Sequence, residues 1–207
     1  PSIVTEYLPG GSLQDVINGK KLMNKTQRVK ALYGVASAMR YLHNSLSIVH
    51  RDLKPANVML NENLEPVVGD FGLAKIMTKM MMKQTQKAGS PVYMAPELMS
   101  GKEYTNKVDV YSFGILCYEL LSELLAFDKC TSIVDLMNKV IGGSRPDLRN
   151  TKISNSFREL IQKCWQNDAE KRPSFKEIVS ELRKDQYLED IDKNAFMEYL
   201  TRLRKSR

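Results

Sequence analysis

Histidine is nearly absent from this sequence and cysteine is sparse: two histidines stand beside Cys117, Cys130 and Cys164 in 207 residues. There is no CxxC pair and no His-rich neighbourhood, so zinc modules are excluded. The odd cysteine number argues against a disulfide framework. The three thiols are expected to be free, in a reducing cytoplasmic compartment. Long apolar runs are missing too. "VYSFGILCY", from Val110 to Tyr118, is bounded by Asp109 and Glu119 and falls far short of the ~20 residues that cross a bilayer. It reads as a buried helix, and no membrane segment is expected in the chain. Internal repeats, low-complexity tracts and an interdomain linker are also lacking.

The net charge of +7 invites a nucleic-acid reading, because clustered Lys and Arg supply most non-specific affinity for phosphate backbones. The distribution opposes it. Apart from the terminal "RLRKSR", basic residues mostly alternate with Asp and Glu, and no RNP-like strand, zinc-finger spacing or helix-turn-helix pattern occurs. A solvated basic surface is expected, with no nucleic-acid partner.

What is present is ample material for a core, since 43% of the residues are hydrophobic, and its periodicity is mostly helical. In "TQRVKALYGVASAMRYLHN", residues 26–44, apolar side chains at 29, 32, 33, 36 and 39 predict an amphipathic helix with Thr26 as N-cap. "VML" at 58–60 and "PVV" at 66–68 are short apolar runs joined by the polar turn "NENLE", which predicts a hairpin, with Pro66 at a strand start. Beyond Glu97 the pattern turns helical, broken near Gly101, Gly142–Gly143 and Pro173. The predicted class is mainly α with a small β region.

One segment interrupts this apolar order. "IVHRDLKPANVML", residues 48–60, sets His50, Arg51, Asp52, Lys54 and Asn57 between two apolar runs, where their desolvation needs compensation. Asn57 immediately precedes the first hairpin strand and Asp70 immediately follows the second, so the two side chains belong at one end of it. Asp52 lies five residues before Asn57 on the same loop. Two carboxylates and an amide oxygen thus converge with a lysine. Hard oxygen ligands of this kind suit Mg²⁺, and the lysine points to a phosphate.

With "HRDLKPAN" at 50–57, "DFG" at 70–72 and "APE" at 95–97 in that order, the chain resembles a eukaryotic protein kinase. "DVYSFGI" at 109–115 agrees, and "CWQNDAEKRPSF" at 164–175 resembles the closing segment of tyrosine-kinase-like and receptor-type serine/threonine kinases. The resemblance runs over residues 1–184, as a hinge plus the large C-terminal lobe. Residues 185–207 form a helical extension, which either packs on the lobe or binds a partner.

The resemblance implies roles for individual residues. Asp52 takes or orients the proton of the substrate hydroxyl, and Lys54 neutralises charge on the transferring phosphoryl group. Asn57 and Asp70 hold Mg²⁺ on the phosphates of ATP. In the hinge-like "IVTEYLPGGSL", residues 3–13, Thr5 gates the pocket, backbone groups of Glu6 and Leu8 pair with adenine, and Ser12 lies at the ribose edge. Met59 forms the floor beneath the base, although an ordinary core methionine reads almost as well. His50 is a strut under Phe71, Arg51 a docking point for a loop phosphate, Asp109 a scaffold for the catalytic loop, and Glu97 a partner of Arg172. Ser90 bonds both Asp52 and Lys54.

Lys54 and "GSPVYMAPE" resemble the serine/threonine type. Ala56 and Ser12 offer no carboxylate for a basic peptide, which leaves Glu119 as a basic-residue contact or a scaffold group. Between Asp70 and Glu97 there is no acidic residue, while Lys75, Lys79, Lys83 and Lys87 recur every fourth position. That self-repulsion predicts a mobile loop, which phosphorylation of Thr85 or Thr78 would order through Arg51, unless it is an unregulated solvated loop. The glycine-rich loop and the strand lysine of the small lobe have no counterpart in these residues. They are expected from an upstream part of the same gene product, without which ATP binding and transfer would be poor. Two readings stand: a serine/threonine kinase acting on protein substrates, and a non-catalytic kinase-like binding module. A small-molecule phosphotransferase is disfavoured by Arg51 and the APE region.

Overall fold

Helix α4 (Lys107–Ser122) is apolar around its circumference and is buried accordingly: Val110, Tyr111, Phe113, Ile115 and Leu116 are each at most 1% exposed. A helix with no polar face needs packing on every side. In this computed structural model, which describes residues 6–76 and 90–205, it receives that packing from α1 (Leu13–Ile17), α2 (Lys25–Ser45), α6 (Asn155–Cys164) and the 3₁₀ turn Pro91–Tyr93. Gly114 lets α6 approach closely, since a Cβ there would stand 2.9 Å from Cys164 Cβ.

Helix α2 buries the stripe its spacing predicts: Val29, Leu32, Tyr33, Ala36 and Met39. Its start differs from the sequence reading. Asn24, not Thr26, is the N-cap, with Asn24 Oδ1 accepting from Gln27 N–H and Gln27 Oε1 accepting from Asn24 N–H, both at 2.9 Å. This capping box satisfies two end donors at once. The Thr26 hydroxyl instead accepts from the Asp192 amide in the C-terminal segment, at 2.9 Å. Helix α7 (Phe175–Glu181) packs along α2, with the Phe175 ring edge-on to both His43 and Phe113.

Two small antiparallel sheets carry the loops of interest. Strand β2 (Val58–Leu60) pairs with β3 (Pro66–Val68) in the register Val58↔Val68, Met59↔Val67 and Leu60↔Pro66, at the positions predicted. Strand β1 (Ile48–Val49) pairs with β4 (Lys75–Ile76), a pairing of segments far apart in sequence. Thr78, Thr85, Lys79, Lys83 and Lys87, on which the loop and phosphorylation expectations rest, lie outside the described residues.

Short α3 (Pro96–Met99) and α5 (Ile133–Ile141) complete the body. The tail forms α8 (Lys193–Lys205), which packs on the lobe: Phe196, Tyr199 and Leu200 are buried, and the Phe196 ring meets Tyr33 edge-on with centroids 5.4 Å apart. Mainly helical architecture with a small β region is as the sequence predicts. No described helix is long and apolar enough to cross a membrane.

Candidate active site

The fixed point of the site is Asp109, fully buried near the start of α4. Its Oδ2 accepts from the His50 amide at 2.9 Å and faces His43 Nε2 at 2.8 Å, while Oδ1 accepts from the Arg51 amide at 2.8 Å. A buried carboxylate needs such donors. In return it fixes a backbone that is locally strained, for Arg51 sits at φ 68°, in the left-handed region that non-glycine residues avoid. The expected scaffold role of Asp109 agrees with these contacts. His50 also behaves as a strut: its Nε2 lies 3.0 Å from the Gly69 carbonyl and its ring is 5.2 Å from that of Phe71.

From this fixed loop the polar side chains converge. Lys54 Nζ donates to Asp52 Oδ2 at 2.7 Å and to Ser90 Oγ at 2.9 Å. Asp52 Oδ1 accepts from the Ser90 amide at 3.1 Å. Asn57 Nδ2 donates to the Asp52 carbonyl at 2.8 Å and to Asp52 Oδ2 at 3.0 Å. Asp52 and Asn57 are buried, and Lys54 is partly so. Ser90, more than thirty residues away in sequence, thus closes on the "HRDLKPAN" loop as expected.

The remaining carboxylate follows the second strand of the hairpin. The Gly69 amide donates to the Asn57 carbonyl at 2.9 Å, which closes the hairpin end and leaves Asn57 and Asp70 on its two legs. Asp70 is exposed, sits at φ 57°, and accepts from Gly72 N–H at 3.3 Å. Asn57 has its amide nitrogen engaged by Asp52, so the group it can offer a cation is Oδ1. One carboxylate and one amide oxygen would make an incomplete shell, and the described residues hold no cluster of three or more His, Cys, Asp or Glu placed for a metal. That set fits Mg²⁺, which keeps waters and takes phosphate oxygens rather than filling an all-protein cage.

Of the residues expected on the nucleotide side, Thr5 lies outside the described residues. Glu6 is exposed and Leu8 partly buried in an extended segment. Ser12 and Met59 are brought together as bridge partners. The bridge follows from backbone bonds between Gly10 N–H and the Leu60 carbonyl, 2.9 Å, and between Leu60 N–H and the Gly11 carbonyl, 2.7 Å. A side chain at position 10 would collide with the Leu60 and Asn61 backbone, so glycine is required there. Ser12 also caps α1, its Oγ accepting from the Asp15 amide at 3.2 Å, while its own amide and hydroxyl donate to Asp15 Oδ2 at 3.0 and 2.8 Å and hold the Asp15 carboxyl below its ordinary range.

These residues, in this order and arrangement, match the protein kinase domain family over residues 2–182. The chain belongs to that family. It is 41% identical over 180 residues to a probable serine/threonine-protein kinase of Dictyostelium discoideum, covering 86% of this chain and 19% of the relative. It is 39% identical over 189 residues to the serine/threonine-protein kinase VIK of Arabidopsis thaliana, covering 88% and 43%. To the dual specificity protein kinase shkC of Dictyostelium discoideum it is 37% identical over 185 residues, covering 87% and 36%. The chain therefore spans less than half the length of these kinases.

Within the kinase fold, the contact between Tyr93 and α4 decides between the two readings of Glu119, in favour of the scaffold. Glu119 offers no free carboxylate to a basic substrate residue. It is buried, accepting from the Tyr93 hydroxyl at 2.6 Å and from the Ala126 amide at 2.9 Å. Burial pushes its carboxyl above the usual range, against the lowering effect of those two donors. Burial and the neighbouring carboxylate raise the Tyr93 phenol as well. The pair ties Pro91–Tyr93 to α4, assisted by Ser112 Oγ donating to the Tyr93 carbonyl at 2.7 Å.

Arg51 is already engaged, donating from Nε to the Leu73 carbonyl at 2.7 Å and from Nη1 to the Tyr104 hydroxyl at 3.1 Å. Two contributors escaped the sequence reading. His43, in the last turn of α2, completes the shell of Asp109, but no local motif marks it. Tyr93 was passed over although it lies within the quoted segment, because its partner Glu119 is 26 residues away.

Proposed function

We propose that this chain is the large lobe of a serine/threonine protein kinase, which transfers the γ-phosphoryl group of ATP to protein hydroxyls. The observation that carries the reading is the Lys54 ammonium held between Asp52 and Ser90, at 2.7 and 2.9 Å. The hydroxyl proton of the acceptor passes to Asp52 while its oxygen bonds to the γ-phosphorus, and the bond to the β–γ bridging oxygen breaks to release ADP. Lys54 offsets charge on the moving phosphoryl group, and such fixed charges need little reorganisation during reaction. Asn57 and Asp70 would hold Mg²⁺, which supplies charge neutralisation on the phosphates. Glu6, Leu8, Ser12 and Met59, with Thr5, would form the nucleotide-side wall.

Residues 1–184 are read as the kinase unit and 185–207 as a helical extension, a division supported by the family match ending at 182. A small lobe from the same gene product would cover the site. The exposed Phe71 ring, next to Asp70, supports that reading. The free cysteines support a reducing, cytoplasmic setting.

The test is Mg-ATP phosphorylation by the full-length gene product, with Asp52→Asn as control and peptides bearing serine, threonine or tyrosine as acceptors. Transfer to serine and threonine, reduced by about 10²-fold or more in the variant, is expected. Equal transfer by both proteins would remove the catalytic assignment, and binding without transfer would favour the non-catalytic module.

A further inference from the structure

The residues that match the kinase family stop at 182, yet α8 beyond them reaches the hairpin that carries Asn57 and Asp70. Arg202 pairs with Glu65 in the β2–β3 turn. Glu65 is itself built into that turn: its amide donates to Asn61 Oδ1 at 2.9 Å, its carbonyl accepts from Asn61 N–H at 3.0 Å, and its Oε2 accepts from Asn61 Nδ2 at 3.3 Å. One helical turn before Arg202, Tyr199 is 1% exposed. Its hydroxyl and the Pro66 ring both press on Gly34 of α2, so closely that a Cβ at position 34 would overlap the two. Pro66 begins β3, the leg that leads to Asp70.

We infer that α8 is a clasp: Tyr199 and Arg202 are positioning residues that hold the turn end of the hairpin, and thereby set the spacing of Asn57 and Asp70 at its other end. The physical reason is the hairpin's size. Its ladder has three residue pairs, and a two-stranded ribbon of that length has little stability of its own. Its register must come from its flanks. Gly10 and Gly11 hold one flank, and α8 with α2 holds the turn. The metal role of Asn57 and Asp70 rests on the kinase reading; the clasp itself does not.

The decisive measurement is hydrogen exchange on the 207-residue chain, read at the Gly69 amide, whose acceptor is the Asn57 carbonyl, with α4 and α6 amides as internal reference. Arg202→Glu is expected to speed exchange at Gly69 and Leu60 by about two- to fivefold, the scale of a partly exposed ion pair. The reference amides should not change, and the swap Arg202→Glu with Glu65→Arg should restore the original rate. Gly34→Ala, which helix propensity alone would favour, should give a larger acceleration at the same two amides. Exchange that stays constant at Gly69, or rises equally in α4 and α6, would overturn the clasp. Mg-nucleotide titration of the full-length unsubstituted protein separates the two claims. If it shows no binding while Gly69 responds as expected, the kinase reading falls and the clasp stands.

Discussion

Arg172 and Glu97 meet as a bidentate pair, with Nη1 2.6 Å from Oε1 and Nη2 2.8 Å from Oε2, and the Arg172 side chain has no solvent exposure. The same guanidinium donates to the Gln166, Lys107 and Asn167 carbonyls and lies over the Tyr111 ring. Segments around residues 97, 107 and 166 are therefore joined through one side chain. Removing one partner of a buried pair strands the other charge. Arg172→Ala should lower stability by ~3–5 kcal/mol, read from urea denaturation midpoints. A loss below 1 kcal/mol would mean that the pair is relaxed in solution.

Asp109→Asn keeps shape but replaces an anionic acceptor that serves His43 and two loop amides. Hydrogen bonds to charged groups contribute ~1.5–3 kcal/mol each, so destabilisation of at least that size is expected. Because Arg51 has a left-handed backbone, the loop should also leave its geometry, and phosphoryl transfer by the full-length protein should fall further than stability alone accounts for. Full activity in a protein that still folds would contradict this.

Ser90→Ala removes the hydroxyl acceptor of Lys54 but keeps the backbone amide that donates to Asp52. Loss of one charged hydrogen bond, ~1.5 kcal/mol, should reduce kcat about tenfold, with little change in the KM for ATP. A change in KM alone would place Ser90 outside the transfer step.

The Glu119 carboxyl has its folded pKa raised by burial, so the unfolded chain loses that proton first as pH rises. Its contribution to stability is complete below the unfolded value, 4.5, and is lost as pH rises through the folded value. Glu119→Gln cannot titrate. The stability of Glu119→Gln relative to the unsubstituted protein should therefore increase from pH 4 to pH 7. Urea midpoints for both proteins across that interval check the sign, and a difference independent of pH would refute it.

Burial raises the Cys117 thiol well above its ordinary range and pushes Cys164 up to about 12. Thiolates react and thiols do not, so a disulfide reagent at pH 8 should titrate one cysteine in the native protein. That residue should be the partly exposed Cys130, with all three reacting in denaturant. Fast reaction of more than one thiol without denaturant would show α4 and α6 to be opening.

The hairpin was legible because its signals are local: two short apolar runs, a polar turn, and a proline where a strand can begin. Helix α2 was legible from its apolar stripe, and its start was misplaced by two residues because Asn24 and Gln27 form a reciprocal cap that the choice of Thr26 overlooked. Strand β4 was not legible. Lys75 and Ile76 become a strand only by pairing with Val49 and Ile48, and a two-residue pattern carries no period. Glu119 was left between groove and scaffold, since in sequence it is a carboxylate at the end of an apolar run and nothing there reveals Tyr93 beside it.

Residue order alone determined which polar groups are neighbours, because Asp52, Lys54 and Asn57 lie within six residues of one loop and Asn57 and Asp70 flank one short hairpin. Tertiary structure decided which groups are held and which are free: Asp109 closing on His43 and two amides, Glu119 sealed against Tyr93, and α8 reaching back to Glu65. Those outcomes depend on contacts across tens to more than a hundred residues, where burial of a charge is decided by what packs against it.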